Sequence, residues 1–130
     1  MDEPDLLKRT KQFALRVLKL AASLPKIDFV RPITVQLVKA GTSVGANYRA
    51  ACRGRSKAEF VAKIGVVEEE ADESAYWIEL LIEGKIVRQT VGRSLLEEAV
   101  QLTKIIAASK ITARLNLHSV ANRKFQIANP

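Results

Sequence analysis

Apolar residues recur at three- and four-residue steps through four stretches of this chain, and that period places them on one face of a helix. The clearest block runs from Gln36 to Leu81. Its first half carries Ile33, Leu37, Ala40, Val44, Tyr48 and Ala51 at helical spacing. Its second half carries Phe60, Ile64, Val67, Ala71, Ser74 or Ala75, Ile78 and Leu81, with only Gly65 to weaken it. Between them, Arg53-Gly54-Arg55 breaks the pattern, and Ser56 stands three residues ahead of Glu59 in the order of an N-terminal capping box. The block predicts two helices meeting at a short turn, the second running from Lys57 to about Lys85 or Val87.

Upstream, residues 5 to 24 set Leu6, Phe13, Val17, Leu20 or Ala21 and Leu24 on one face and most of their lysines and arginines elsewhere. Pro25 ends this helix, and Pro32 suits the first turn of the next. Downstream, QTVGRS breaks the pattern at Gly92, after which Leu95 or Leu96, Ala99, Leu102, Ile106, Ser109 and Ala113 restore a helical face. Beyond Arg114 no period is sustained, so residues 1–114 are expected to form the domain and residues 115–130 a mobile or partner-docked tail. Short links make consecutive helices antiparallel neighbours, which predicts an all-α, up-down-up-down four-helix bundle.

Composition narrows the function. The 130 residues and 48% hydrophobic content suffice for one core without a metal or disulfide. Cys52 is the only cysteine, which fits a reducing compartment such as the cytoplasm. The acidic start Met1-Asp2-Glu3-Pro4-Asp5 lacks the features of a signal peptide, and no apolar run has the length of a membrane span, so no membrane partner is expected.

The net charge of +7 favours anionic partners. It is unevenly spread. Residues 68 to 83 hold half of the 14 acids (Glu68, Glu69, Glu70, Asp72, Glu73, Glu79 and Glu83) and no Lys or Arg. Such polarity serves nucleic acid on the basic side, or pairs the acidic stretch of one subunit with a basic surface of the next. Arg49, Arg53, Arg55, Lys57 and Lys63 cluster around the turn with one acid, Glu59, among them. They are the candidate phosphate contacts, since clustered cations hold nucleic acid without reading its sequence. The competing use is to bridge to acids of another subunit. Glu69, Asp72, Glu73, Tyr76 and Trp77 are the candidate oligomer interface, because charge runs and helix-spaced aromatics serve as contact surface more often than as chemistry.

Catalytic readings fare poorly. Glu69 and Asp72, like Glu70 and Glu73, are spaced for a metal pair, yet the one histidine, His118, lies outside the periodic helices, so no metal or cofactor is expected. Cys52 has cationic neighbours and no general base, and is expected to pack. Gly41 and Gly45 fit no phosphate-loop pattern and are expected to let a neighbouring helix approach. No base, nucleophile and oxyanion donor converge, which argues against an enzyme.

Gln36, Ala40, the run Ser43-Val44-Gly45-Ala46-Asn47-Tyr48-Arg49, then Arg55-Ser56-Lys57-Ala58-Glu59-Phe60 and Glu69-Glu70-Ala71-Asp72-Glu73 resemble the bacterial four-helix bundle family named for members encoded in intervening sequences of 23S ribosomal RNA genes. The chain is also similar to the accessory protein of diversity-generating retroelements. The resemblance covers residues about 8 to 113. It implies a ring-like homopentamer with a basic surface and no known catalysis, and, in the retroelement branch, binding to RNA or DNA and to a reverse transcriptase. Many members carry Glu-Gly after the Ala-Asn pair where this chain has Ala50-Ala51, so a role resting on that glutamate does not transfer. Among the matching residues, Ser56 and Glu59 are expected to cap a helix, Phe60 to fill core, and Asn47 to hydrogen-bond across helices.

Overall fold

A computed structural model describes residues 1–128, with side-chain surroundings described through Ser119. Four helices make up the described chain, with no strand: α1 (Glu3–Ser23), α2 (Arg31–Cys52), α3 (Lys57–Glu83) and α4 (Gln89–Ala128). α1 starts two residues earlier than expected because the Asp2 carboxylate accepts from the Asp5 N–H at 3.0 Å, with Pro4 in the first turn. It ends where Leu24 turns extended ahead of Pro25. Pro32 stands in the first turn of α2. At the start of α3 the Ser56 hydroxyl accepts from Glu59 N–H at 3.1 Å, as a capping box requires. The reciprocal arm is displaced by one residue, Glu59 Oε2 accepting from the Arg55 N–H at 2.6 Å instead of from Ser56.

Contacts between helices fix the antiparallel order. Along α1 and α2, Gly45 lies over the Thr10 backbone and Gly41 over the Val17 side chain. Along α3 and α4, Gly92 lies against Ile82 while Glu68 pairs with Lys110. α4 closes back on α1 through Arg9 and Glu98 and through Arg16, which donates to the Ser94 hydroxyl at 2.9 Å. Each helix packs mainly on its neighbours in sequence, and the α1–α4 contact is the least extensive. One continuous core results, lined by Phe13, Val17, Leu37, Val44, Ile64, Ile78, Leu81, Leu102 and Ile106.

Three expectations need correction. The break between the last two helices falls at residues 84–88, ahead of Gly92. α3 stops at Glu83, Gly84 caps it, and Lys85 takes the left-handed turn at φ 59° that a glycine adopts at less cost. Gly92 itself is helical and buried, and a Cβ there would stand 3.0–3.1 Å from Ile82 and Val87, so its smallness serves packing. α4 does not stop near Arg114. No glycine or proline occurs from Arg93 to Ala128 to interrupt the helix, which runs through that stretch. The helix thus continues through most of the segment expected as a tail, of which residues 129–130 lie outside the described residues. Asn47 does not reach across helices either: its side-chain amide donates to the Ser43 carbonyl of its own helix at 2.9 Å. A side chain four residues beyond an exposed carbonyl on the same helix meets it more readily than a neighbouring helix.

Candidate nucleic-acid interface

The five cations singled out in the sequence are all exposed, and none forms an ion pair or side-chain hydrogen bond among the described residues. Arg49 on the last turn of α2 and Arg53 at its C-cap lie four residues apart, which keeps them on one side of the helix end. Arg55 and Lys57 flank the α2–α3 turn, and Lys63 stands on the second turn of α3. The turn is held by backbone and capping bonds alone: the N–H groups of Arg53 and Gly54 donate to the last carbonyls of α2, and Glu59 is occupied in the cap. The one acid of the cluster bonds to backbone and forms no ion pair with the five cations among the described residues.

Arg49 and Arg53 also line a groove between α1 and α2 of about 440 Å³. Its walls carry Leu7 and Ala14 from α1, Thr42, Gly45, Ala46 and Cys52 from α2, and two charged α1 residues, Lys11 and Glu3. The structure thus joins Arg49 and Arg53 to Lys11, whereas Arg55, Lys57 and Lys63 line no part of the groove. Lys11 was missed because it belongs to a helix distant in sequence. No sequence signal marked it: Lys11 follows the buried Thr10, whose packed register against Gly45 sets Lys11 beside the small residues of α2. Burial pushes the Cys52 thiol up from its ordinary value, and the hydrogen bond with Tyr48 only partly opposes this, so Cys52 is a poor nucleophile. Tyr48 is itself shifted further upward, chiefly by burial.

The proposed interface residues on α3 occupy different settings. Glu69, Asp72, Glu73 and Tyr76 are exposed, and Val66 and Leu80 join Tyr76 among the exposed large apolar side chains of α3. Trp77 is half-buried against the core, its indole N–H donates to Glu73 Oε1 at 3.2 Å, and its ring meets Tyr76 edge-on with centroids 5.0 Å apart. Two members of the acidic run turn inward. Glu68 is ion-paired with Lys110 of α4, and Glu70 is half-buried, its carboxyl raised by burial first and then by Glu73 and Glu69. Among the described residues no three or more His, Cys, Asp or Glu side chains gather as a metal site would require. Among the described residues, no helix is long and apolar enough to cross a membrane.

A family model described as 23S rRNA-intervening sequence protein matches residues 3–108. No curated protein gives a significant match. Among solved structures, a protein of unknown function from Bacteroides thetaiotaomicron, described as belonging to the S23 ribosomal protein family, superposes with a TM-score of 0.71 at 26% identity, covering 81% of this chain and 97% of that one.

Proposed function

We propose that this chain, which belongs to the 23S rRNA-intervening sequence protein family, is a non-enzymatic, self-associating bundle that holds RNA or DNA by phosphate contacts from Arg49, Arg53, Arg55, Lys57 and Lys63. The observation that carries the reading is that these five cations are exposed and unpaired among the described residues, while the acid nearest them is spent on the helix cap. Unpaired surface cations at a helix junction bind the charge of a backbone and carry no base readout. The resemblance to the retroelement accessory protein adds a reverse transcriptase as the partner to try first.

Assembly through α3, as a ring of five in the form the resemblance implies, is the second half of the reading. What supports it is an outer face on which Glu69, Asp72 and Glu73 form no ion pair among the described residues and stand beside exposed Val66, Tyr76 and Leu80. Trp77, half-buried against the core and bonded through its indole N–H to Glu73, borders that face. The same face favours a second reading, a protein-binding adaptor with no nucleic-acid role.

Binding to a panel of labelled RNA and DNA at low salt tests the first half. Arg53→Glu with Arg55→Glu should abolish most of it, and a panel that shows no binding overturns it. Light scattering tests the second half: an oligomer that loses mass on Glu69→Lys with Glu73→Lys supports it, and a monomer at micromolar concentration contradicts it.

A further inference from the structure

We infer that the α1–α2 groove is a track for a single nucleic-acid strand, with Lys11 as its third phosphate contact, so that this protein takes single strands in preference to duplex. The inference rests on the nucleic-acid reading above and adds which form of the polymer the site accepts. Arg53 and Arg49 are one helical turn apart, a rise of about 6 Å. Gly45 sits over the Thr10 backbone, which holds Lys11 roughly one more turn along in the same direction. The three cations therefore form a file along the groove, and none is ion-paired among the described residues. Leu7, Ala14 and Ala46 give the same groove an apolar floor.

A regular file of cations over an apolar floor suits a polymer that repeats one charge and one flat, weakly polar base per unit. Proteins that hold single strands without sequence preference combine a basic groove with surface on which bases lie. Width decides between the two forms. Helices in contact lie about 8–10 Å apart axis to axis, so a groove between two of them admits one strand. A duplex, whose major groove alone is about 12 Å across, can only rest on the rim. An acidic helix of another protein, the other occupant with the right charge, has no need of evenly spaced cations, whereas Glu3 at the Arg53 end of the groove opposes either anion alike.

The test is fluorescence anisotropy on the full chain with a short labelled single strand of mixed sequence and with the same strand annealed to its complement. The wild-type protein should bind the single strand about tenfold tighter or more. Lys11→Gln, and separately Ala46→Leu, which fills the exposed floor, should erase most of that preference, whereas Lys57→Gln should weaken both forms alike. Equal affinity for the two forms, or a preference untouched by Lys11→Gln and Ala46→Leu, overturns the groove assignment and leaves the phosphate-binding reading standing. Failure of both forms to bind removes the reading beneath it. If Lys11→Gln changes the sedimentation mass and leaves oligonucleotide binding intact, the groove is a protein contact and the inference falls.

Discussion

The two hairpins of this bundle are closed by different means. α1 and α2 meet through backbone: Gly41 accepts the Val17 side chain and Gly45 the Thr10 main chain, so the seam needs no charged side chain to hold it. Lys11, Arg49 and Arg53 are unpaired beside that seam among the described residues. α3 and α4 also use a glycine, Gly92 against Ile82, but add an ion pair, Glu68 to Lys110, and are joined by a turn that holds Lys85 at φ 59°. An ion pair thus crosses one seam, whereas the cations beside the other are engaged by no acid among the described residues.

The largest effect should come from Gly41. A Cβ there would stand 2.7–3.0 Å from Val17, a buried residue with little rotamer freedom. Gly41→Leu should destabilise the fold by about 3 kcal/mol in thermal or urea unfolding, at the upper end of overpacking costs. Gly65 supplies the control from the other hairpin. Nothing lies within 4 Å of a Cβ built on it, so Gly65→Ala should stabilise by about 1 kcal/mol through helix propensity alone. If both glycines respond alike, close approach is not what closes the α1–α2 seam.

The α3–α4 seam should respond to charge instead. Lys110→Met leaves the largely covered Glu68 carboxylate without its partner and should cost about 2 kcal/mol by urea unfolding. Lys85→Gly should stabilise by about 1 kcal/mol, since glycine takes the left-handed turn without strain.

The smallest effect is a pH dependence. Burial and two neighbouring carboxylates raise the Glu70 carboxyl above the ordinary glutamate range. The folded state thus binds this proton more tightly than the unfolded state. Its contribution favours folding at low pH and is lost as pH rises from the ordinary glutamate range through the raised value. Glu70→Gln should therefore raise the melting temperature at pH 7, with the gain shrinking as pH falls to the ordinary glutamate range.

The helices were legible because burial repeats at helical spacing: Leu37, Val44, Ile64, Ala71, Leu102 and Ile106 all stand where the period puts them and all are buried. The α2–α3 turn was legible through Ser56 and Glu59, whose cap geometry is local. The misplaced break at Gly92 shows the weakness of treating glycine as punctuation, since a glycine inside a helix also marks a close neighbour. The end of α4 was misplaced because the apolar period lapses beyond Ala113 while no glycine or proline follows to stop the helix. Lys11 escaped for a related reason. Its role depends on the register of α1 against α2, and that register is set by glycine contacts that only the packed structure reveals.

The central claim is that the cations spared by the α1–α2 seam and the adjoining turn hold a polyanion, and the salt dependence of binding tests it most directly. With six contacts to a single strand, the five cations and Lys11, the logarithm of the association constant should fall against the logarithm of salt concentration with a slope of about −4.2, and Arg49→Gln with Arg53→Gln should flatten it by about 1.4. A slope near zero, or one unchanged by those two substitutions, would contradict the claim.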